Sequence, residues 1–168
     1  MKRLLILTAL TVALFALGAS AQSTFQAFLT GPGENPPNGS PATGFGTLVL
    51  NAAQTQITAD ESWSGLTAPA TASHIHGPGG GGTNAPVIFP FSGVPAATAG
   101  AIPEQSFPIT PQQVAWLFDG YLYMNVHTST FPGGEIRGQL LLVPEPGALS
   151  LVGVGAAMLA CRLPRRTG

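Results

Sequence analysis

The sequence predicts an all-β fold: an antiparallel, Greek-key-like sandwich or barrel with one short helix. Three observations carry that expectation. Apolar and polar residues alternate over several short stretches, the period of a strand with one buried face. Glycine and proline, 22 and 16 of the 168 residues, punctuate those stretches as turns between strands require. Only Thr110 to Gly120 carries the period of an amphipathic helix.

The chain opens with Met1-Lys2-Arg3, an apolar block from Leu4 to Leu17, and the small residues Gly18-Ala19-Ser20-Ala21. That order is the layout of a secretory signal peptide, so residues 1–21 are expected to be removed by cleavage after Ala21. The block is shorter than the roughly 20 apolar residues a membrane span needs.

The folded domain is expected to occupy residues 22–143. Thr24 to Leu29 alternates as a first strand, and the glycines and prolines between Gly31 and Pro41 form a rigid loop. Gly44 to Asn51 is the next strand, with Phe45, Thr47 and Val49 opposed to Gly46, Leu48 and Leu50. Its partner runs from Gln54 to Trp63 and sets Ile57, Ala59, Glu61 and Trp63 on one face. A strand through His74 precedes Gly77-Pro78-Gly79-Gly80-Gly81-Gly82, a surface loop with no lysine and helix after it and therefore no phosphate site. Pro86 to Phe91 is an apolar strand whose flanking prolines put it at a sheet edge.

Thr110 to Gly120 is the helix, with Thr110 as N-cap, Pro111 in the first turn, and Val114, Leu117 and Phe118 on one stripe. Tyr121 to Thr128 and Gly134 to Val143 make a terminal hairpin. In the first of these strands Leu122, Met124 and Val126 face away from Tyr121, Tyr123, Asn125 and His127. In the second, Ile136, Gly138, Leu140 and Leu142 face away from Glu135, Arg137, Gln139 and Leu141. Glu135 and the nearby Arg137 are expected either to pair or to hold the loop of Glu34 and its prolines.

Charge is distributed unevenly. Lys2 and Arg3 belong to the first segment and Arg162, Arg165 and Arg166 to the last, so Arg137 is the only basic residue between them. All seven acidic residues lie in that middle part, a net charge of −6. A nucleic-acid partner and an anionic lipid surface are excluded on that ground, since both need a basic face. Cys161 is the only cysteine, so the domain holds by its core without a disulfide.

After Val143 come Pro144-Glu145-Pro146, an apolar run to Cys161, and Arg162, Arg165 and Arg166 as a basic stop. Motif, apolar run and basic end, in that order over residues 144–168, resemble a PEP-CTERM sorting tail. The resemblance implies a transient anchor in the inner membrane of a Gram-negative bacterium. It also implies processing by an exosortase-type protease and delivery to the cell surface or the extracellular matrix.

His74, His76 and His127 are the only histidines. Residues two apart on a strand point to one side, so His74 and His76 form a chelating pair. His127, on another outward strand face, completes a candidate zinc or copper site, with Glu34 or Glu135 available as a further ligand. The alternative is three ordinary polar strand residues bonded to nearby backbone. No Ser/His/Asp set or carboxylate pair suggests hydrolysis.

Several segments together resemble the CHRD domain of extracellular proteins. They are Gly33-Glu34-Asn35-Pro36-Pro37, the Gly44 to Asn51 strand, Ala72-Ser73-His74-Ile75-His76-Gly77-Pro78, Tyr123-Met124-Asn125-Val126-His127-Thr128, and Phe131-Pro132-Gly133-Gly134-Glu135-Ile136-Arg137-Gly138-Gln139-Leu140. The resemblance implies a secreted binding or structural protein, with matrix polysaccharide or surface proteins as partners. The His-x-His strand with a later strand histidine is also similar to the copper face of copper/zinc superoxide dismutases, which makes a metalloenzyme the competing class. The fourth histidine and the zinc loop of that family are not in the sequence.

Overall fold

A computed structural model describes residues 22–144. Ala21, Glu145, Pro146, Arg162, Arg165 and Arg166 lie outside the described residues, and with them the expected cleavage point, most of the sorting motif and the basic stop. Among the described residues no helix is long and apolar enough to cross a membrane.

Nine strands and one α-helix follow in order: β1 (Ser23–Thr30), β2 (Thr43–Leu50), β3 (Gln56–Ser64), β4 (Ala70–His76), β5 (Val87–Pro90), β6 (Gly100–Pro108), α1 (Pro111–Phe118), β7 (Tyr123–Thr128), β8 (Ile136–Gln139) and β9 (Leu141–Leu142). They form a single sheet in the order β5-β4-β7-β8-β1-β2-β3-β6, with β9 also pairing β1. Every pairing is antiparallel. The all-β expectation holds, in the form of a nearly closed barrel.

The barrel's seam lies between β5 and β6, the two ends of the sheet order. Side chains bridge it: Phe107 of β6 meets Phe89 and Phe91 with ring centroids 5.4 and 5.9 Å apart, and Gln105 bonds both main-chain groups of Ser92. β5 is the edge strand its prolines announce. The strand β6, absent from the sequence reading, is the other edge, where Pro103 and Pro108 are tolerated because a missing N–H costs nothing on an unpaired side.

Alternation sets the inside. Phe25, Ala27 and Leu29 of β1, Leu48 and Leu50 of β2, Ile57 and Ala59 of β3, Ile75 of β4, Ile102 of β6 and Met124 and Val126 of β7 fill the core. Each of the larger side chains, Phe, Leu, Ile, Val and Met, contributes roughly 1.5–3 kcal/mol by leaving water, which is how the domain stands without a disulfide. Helix α1 covers one end. Thr110 and Gln113 form a reciprocal capping box, Val114 and Leu117 are buried, and Phe118 sets its edge on Phe25 at 5.4 Å.

The strand expected from Gly134 to Val143 is interrupted. β8 ends at Gln139, Leu140 turns into the core, and β9 continues with Leu141 and Leu142 exposed, so Leu142 does not share the inward face of Ile136 and Leu140. The bend falls where pairing with β7 ends and pairing with β1 continues. Gly138 permits the close approach: a Cβ there would stand 2.4 Å from the carbonyl oxygen of Phe28. The Gly138→Ala variant is expected to lose about 1–3 kcal/mol, because the obstacle is backbone and cannot rotate away. A lowered denaturant midpoint at unchanged slope would register this; an unchanged midpoint would contradict it.

Candidate metal centre

The three histidines share the outer wall of the barrel. His74 and His76 leave β4 on the same side, and β7 lies beside it with His74 opposite Asn125, Ala72 opposite His127 and His76 opposite Tyr123. This register places His127 diagonally across from His74. One nitrogen from each ring falls within 4.8 Å of one from each of the others, and His74 Nδ1 is 3.2 Å from His127 Nε2.

Loops fix the direction of two of the rings. His76 Nδ1 lies 2.8 Å from the carbonyl of Ala85, in the loop after β4, and His127 Nδ1 lies 2.9 Å from the carbonyl of Pro132, between β7 and β8. A carbonyl only accepts, so both Nδ1 atoms carry the proton and both Nε2 atoms keep a lone pair. His76 Nε2 is buried and makes no hydrogen bond of ordinary geometry, although the Asn125 side chain is near enough to raise the ring's pKa. Such outer carbonyls are the usual means of aiming imidazoles at a metal.

Burial keeps these rings neutral. The pKa of His74 is lowered to about 4, by burial first and then by His127 and His76. Burial also lowers His76 and His127, against the carbonyl bonds that raise them. Neutral imidazole is the form that ligates zinc and copper, so the donors fit either ion.

The roof over the site is built by Arg137. It is 2 % exposed, and its guanidinium lies 3.4 Å from the centroid of Tyr123, which stacks in turn on His76 at 4.9 Å and 2°. Its NH2 group donates to the carbonyls of Gly80 and Thr83 and to Gln139, and its NH1 group to Asn84. Tyr123 Oη accepts from the amide of Ala85, the residue whose carbonyl holds His76. The glycine-rich loop is therefore pinned at Gly80, Thr83, Asn84 and Ala85. The surface loop expected from its composition is thus tied down at four residues.

The two glutamates expected as further ligands are placed elsewhere. Glu135 accepts from Ser40 Oγ, Thr67 N, Thr67 Oγ1 and Thr128 Oγ1, knitting three segments together, and does not pair with Arg137. Burial would raise its pKa, but the hydrogen bonds from Thr128, Thr67 and Ser40 win and lower it. Glu34 is buried behind Asn125, outside the histidine group, with its Oε1 unpartnered. Desolvation raises its pKa to about 7, opposed by the charge of Arg137 and by bonds from Asn35 and Asn125.

The fold and site define a class: an antiparallel barrel that carries a three-histidine cluster on its outer wall under a clamped glycine loop. The chain belongs to the CHRD domain family, which it matches over residues 25–140. No curated protein and no solved structure matches it.

The roles of Asn125 and Tyr123 were missed in the sequence. A faint signal was there for both, since each alternates in phase with His127.

Proposed function

We propose that this protein is a metal-binding domain that holds one zinc or copper ion on His74, His76 and His127. The observation that carries this reading is the unpartnered, buried Nε2 of His76, on a ring whose proton is assigned to the far side by the Ala85 carbonyl. A buried acceptor without a partner costs roughly 1–3 kcal/mol, and a metal ion removes that cost. At His127 too a backbone carbonyl, that of Pro132, takes the Nδ1 proton and leaves Nε2 directed at His74.

The proposal extends to where the domain works. The signal-like start and the Pro144-Glu145-Pro146 tail support export, a passing inner-membrane anchor, release by an exosortase-type protease and residence at the surface or in the matrix. Matrix polysaccharide or surface proteins are the partners that location supplies.

The test is metal content. The full chain, purified without a polyhistidine tag, loaded with zinc or copper and desalted, is expected to retain one ion per chain by elemental analysis. His76→Ala and His127→Ala are each expected to reduce retention on the order of 100-fold in affinity, since each removes a first-rank nitrogen ligand. Equal retention by wild type and both variants would end the proposal.

A further inference from the structure

We infer that Asn125 is the fourth ligand of this site, aimed by Glu34, and that the site is thereby closed for holding a metal rather than open for reacting with one. The inference rests on the three-histidine reading above and adds its completion. Asn125 stands directly opposite His74 across the β4–β7 pairing and two residues before His127 on the same outward face. Its Oδ1 is 3.0 Å from His127 Nε2.

That contact is unusual for two neutral side chains. The Pro132 carbonyl claims the proton on His127 Nδ1, so Nε2 presents a lone pair, and the amide oxygen presents another. Two acceptors face each other. A cation between them turns the repulsion into shared coordination. Two of the distances match a tetrahedral ion, whose four ligands at roughly 2.0–2.1 Å stand about 3.3 Å from one another, and the His76 nitrogen lies within 4.8 Å of the other two rings'. Asn125 to His127 at 3.0 Å and His74 to His127 at 3.2 Å are two such edges already in place.

An amide can present oxygen or nitrogen, and Glu34 decides which. The Glu34 carboxyl, which is not part of the histidine group, interacts with the Asn125 side chain. A Cβ built on Gly134 would meet Glu34 Oε1 at 2.3 Å and Asn125 Nδ2 at 2.8 Å, so the carboxyl and the nitrogen end of the amide both flank Gly134, with Oε1 itself making no hydrogen bond. A carboxyl oxygen accepts in either protonation state, so it favours the N–H end of the neighbouring amide and leaves Oδ1 toward the rings. Gly134, at φ +133, leaves room for both. Glu34 is thus a positioning residue that does not touch the ion.

A metal with four protein ligands has no position for substrate, whereas catalytic zinc and copper sites keep one open to water. The chemistry points to storage, transfer or structural use of the ion.

The experiment compares the full chain with Asn125→Ala, Asn125→Asp and Glu34→Gln. Copper(II) and zinc affinities are measured by chelator competition, and water access by proton relaxation in the copper-loaded protein. Wild type is expected to bind copper with low relaxivity. Asn125→Ala is expected to bind on the order of 10–100-fold more weakly and to gain relaxivity as water takes the vacated place, and Glu34→Gln to lose roughly 10-fold. Asn125→Asp restores an oxygen and is expected to keep low relaxivity, which answers the case where the alanine variant does not fold. If wild type binds but is already water-rich, or if Asn125→Ala weakens binding without added relaxivity, Asn125 is not a ligand and the inference is overturned while the three-histidine reading stands. If wild type binds no metal, both fall.

Discussion

Arg137→Ala is expected to lower folding stability by roughly 3–5 kcal/mol and to free the glycine-rich cover of the site. The guanidinium is buried against Tyr123 and gives hydrogen bonds to Gly80, Thr83, Asn84 and Gln139. Hydrogen bonds to a charged donor are worth about 1.5–3 kcal/mol each, and a desolvated cation over an aromatic ring about 2, though such terms do not simply add. Losing the arginine strands the Gly80 and Thr83 carbonyls and removes one side of the Tyr123 stack. Arg137→Lys keeps the charge but not the planar fork, so it recovers only a minor part. Chemical denaturation gives the first quantity, and hydrogen exchange at the amides of residues 79–85 gives the second. A stability within 1 kcal/mol of wild type, with protection of those amides retained, would contradict this account.

Glu61→Gln is expected to stabilise the protein at alkaline pH and to leave it nearly unchanged near pH 5. Glu61 faces the barrel interior, 1 % exposed, with Oε1 unpartnered and Ser73 Oγ donating to Oε2. Burial raises its pKa to about 8, opposed by the Ser73 bond and helped by the charge of Asp60. The folded chain therefore keeps a proton that the unfolded chain gives up near 4.5. The contribution of that group is fully present below about pH 4.5 and is lost as the pH rises towards 8. Its size is on the order of 3–5 kcal/mol, and glutamine, which mimics the protonated acid, does not lose it. Glu34 adds a smaller loss of the same sign as the pH approaches 7.

The histidines act at the other limb. Their lowered pKa values mean that the unfolded chain gains protons near 6.5 while the folded chain resists, so stability falls as the pH drops from 6.5 towards about 4. Stability is thus expected to peak in mildly acidic solution. Thermal unfolding of wild type and Glu61→Gln from pH 4 to 9 measures both limbs, and parallel curves above pH 6 would rule out the role given to Glu61.

Much of this was legible in residues alone. Period-2 alternation found β1, β2, β3 and β7 and divided their residues into two faces, because the barrel interior is dry and its wall is not. It even put Glu61 in phase with Ile57, Ala59 and Trp63, although not that a carboxyl would be buried there. Thr110 and Pro111 announced the helix because capping is local. The histidine cluster was legible for the same reason as the strands, since three rings on outward faces of β4 and β7 need only one neighbouring register to meet.

What could not be read is what depends on distant partners. Nothing local says that Arg137 stacks on Tyr123 rather than pairing with Glu135, because that choice is made by how a loop some fifty residues earlier folds over β8. The strand β6 escaped because edge position, not alternation, licenses its two prolines. Asn125 escaped because an asparagine among strand residues has no chemistry until Glu34 orients it.

The most direct measurement of the central claim is X-ray absorption at the metal edge of zinc- or copper-loaded full-length protein. The account predicts a first shell dominated by nitrogen at about 2.0 Å, with the outer scattering of three imidazole rings. A shell of oxygen alone, or no ion retained after desalting, would contradict it.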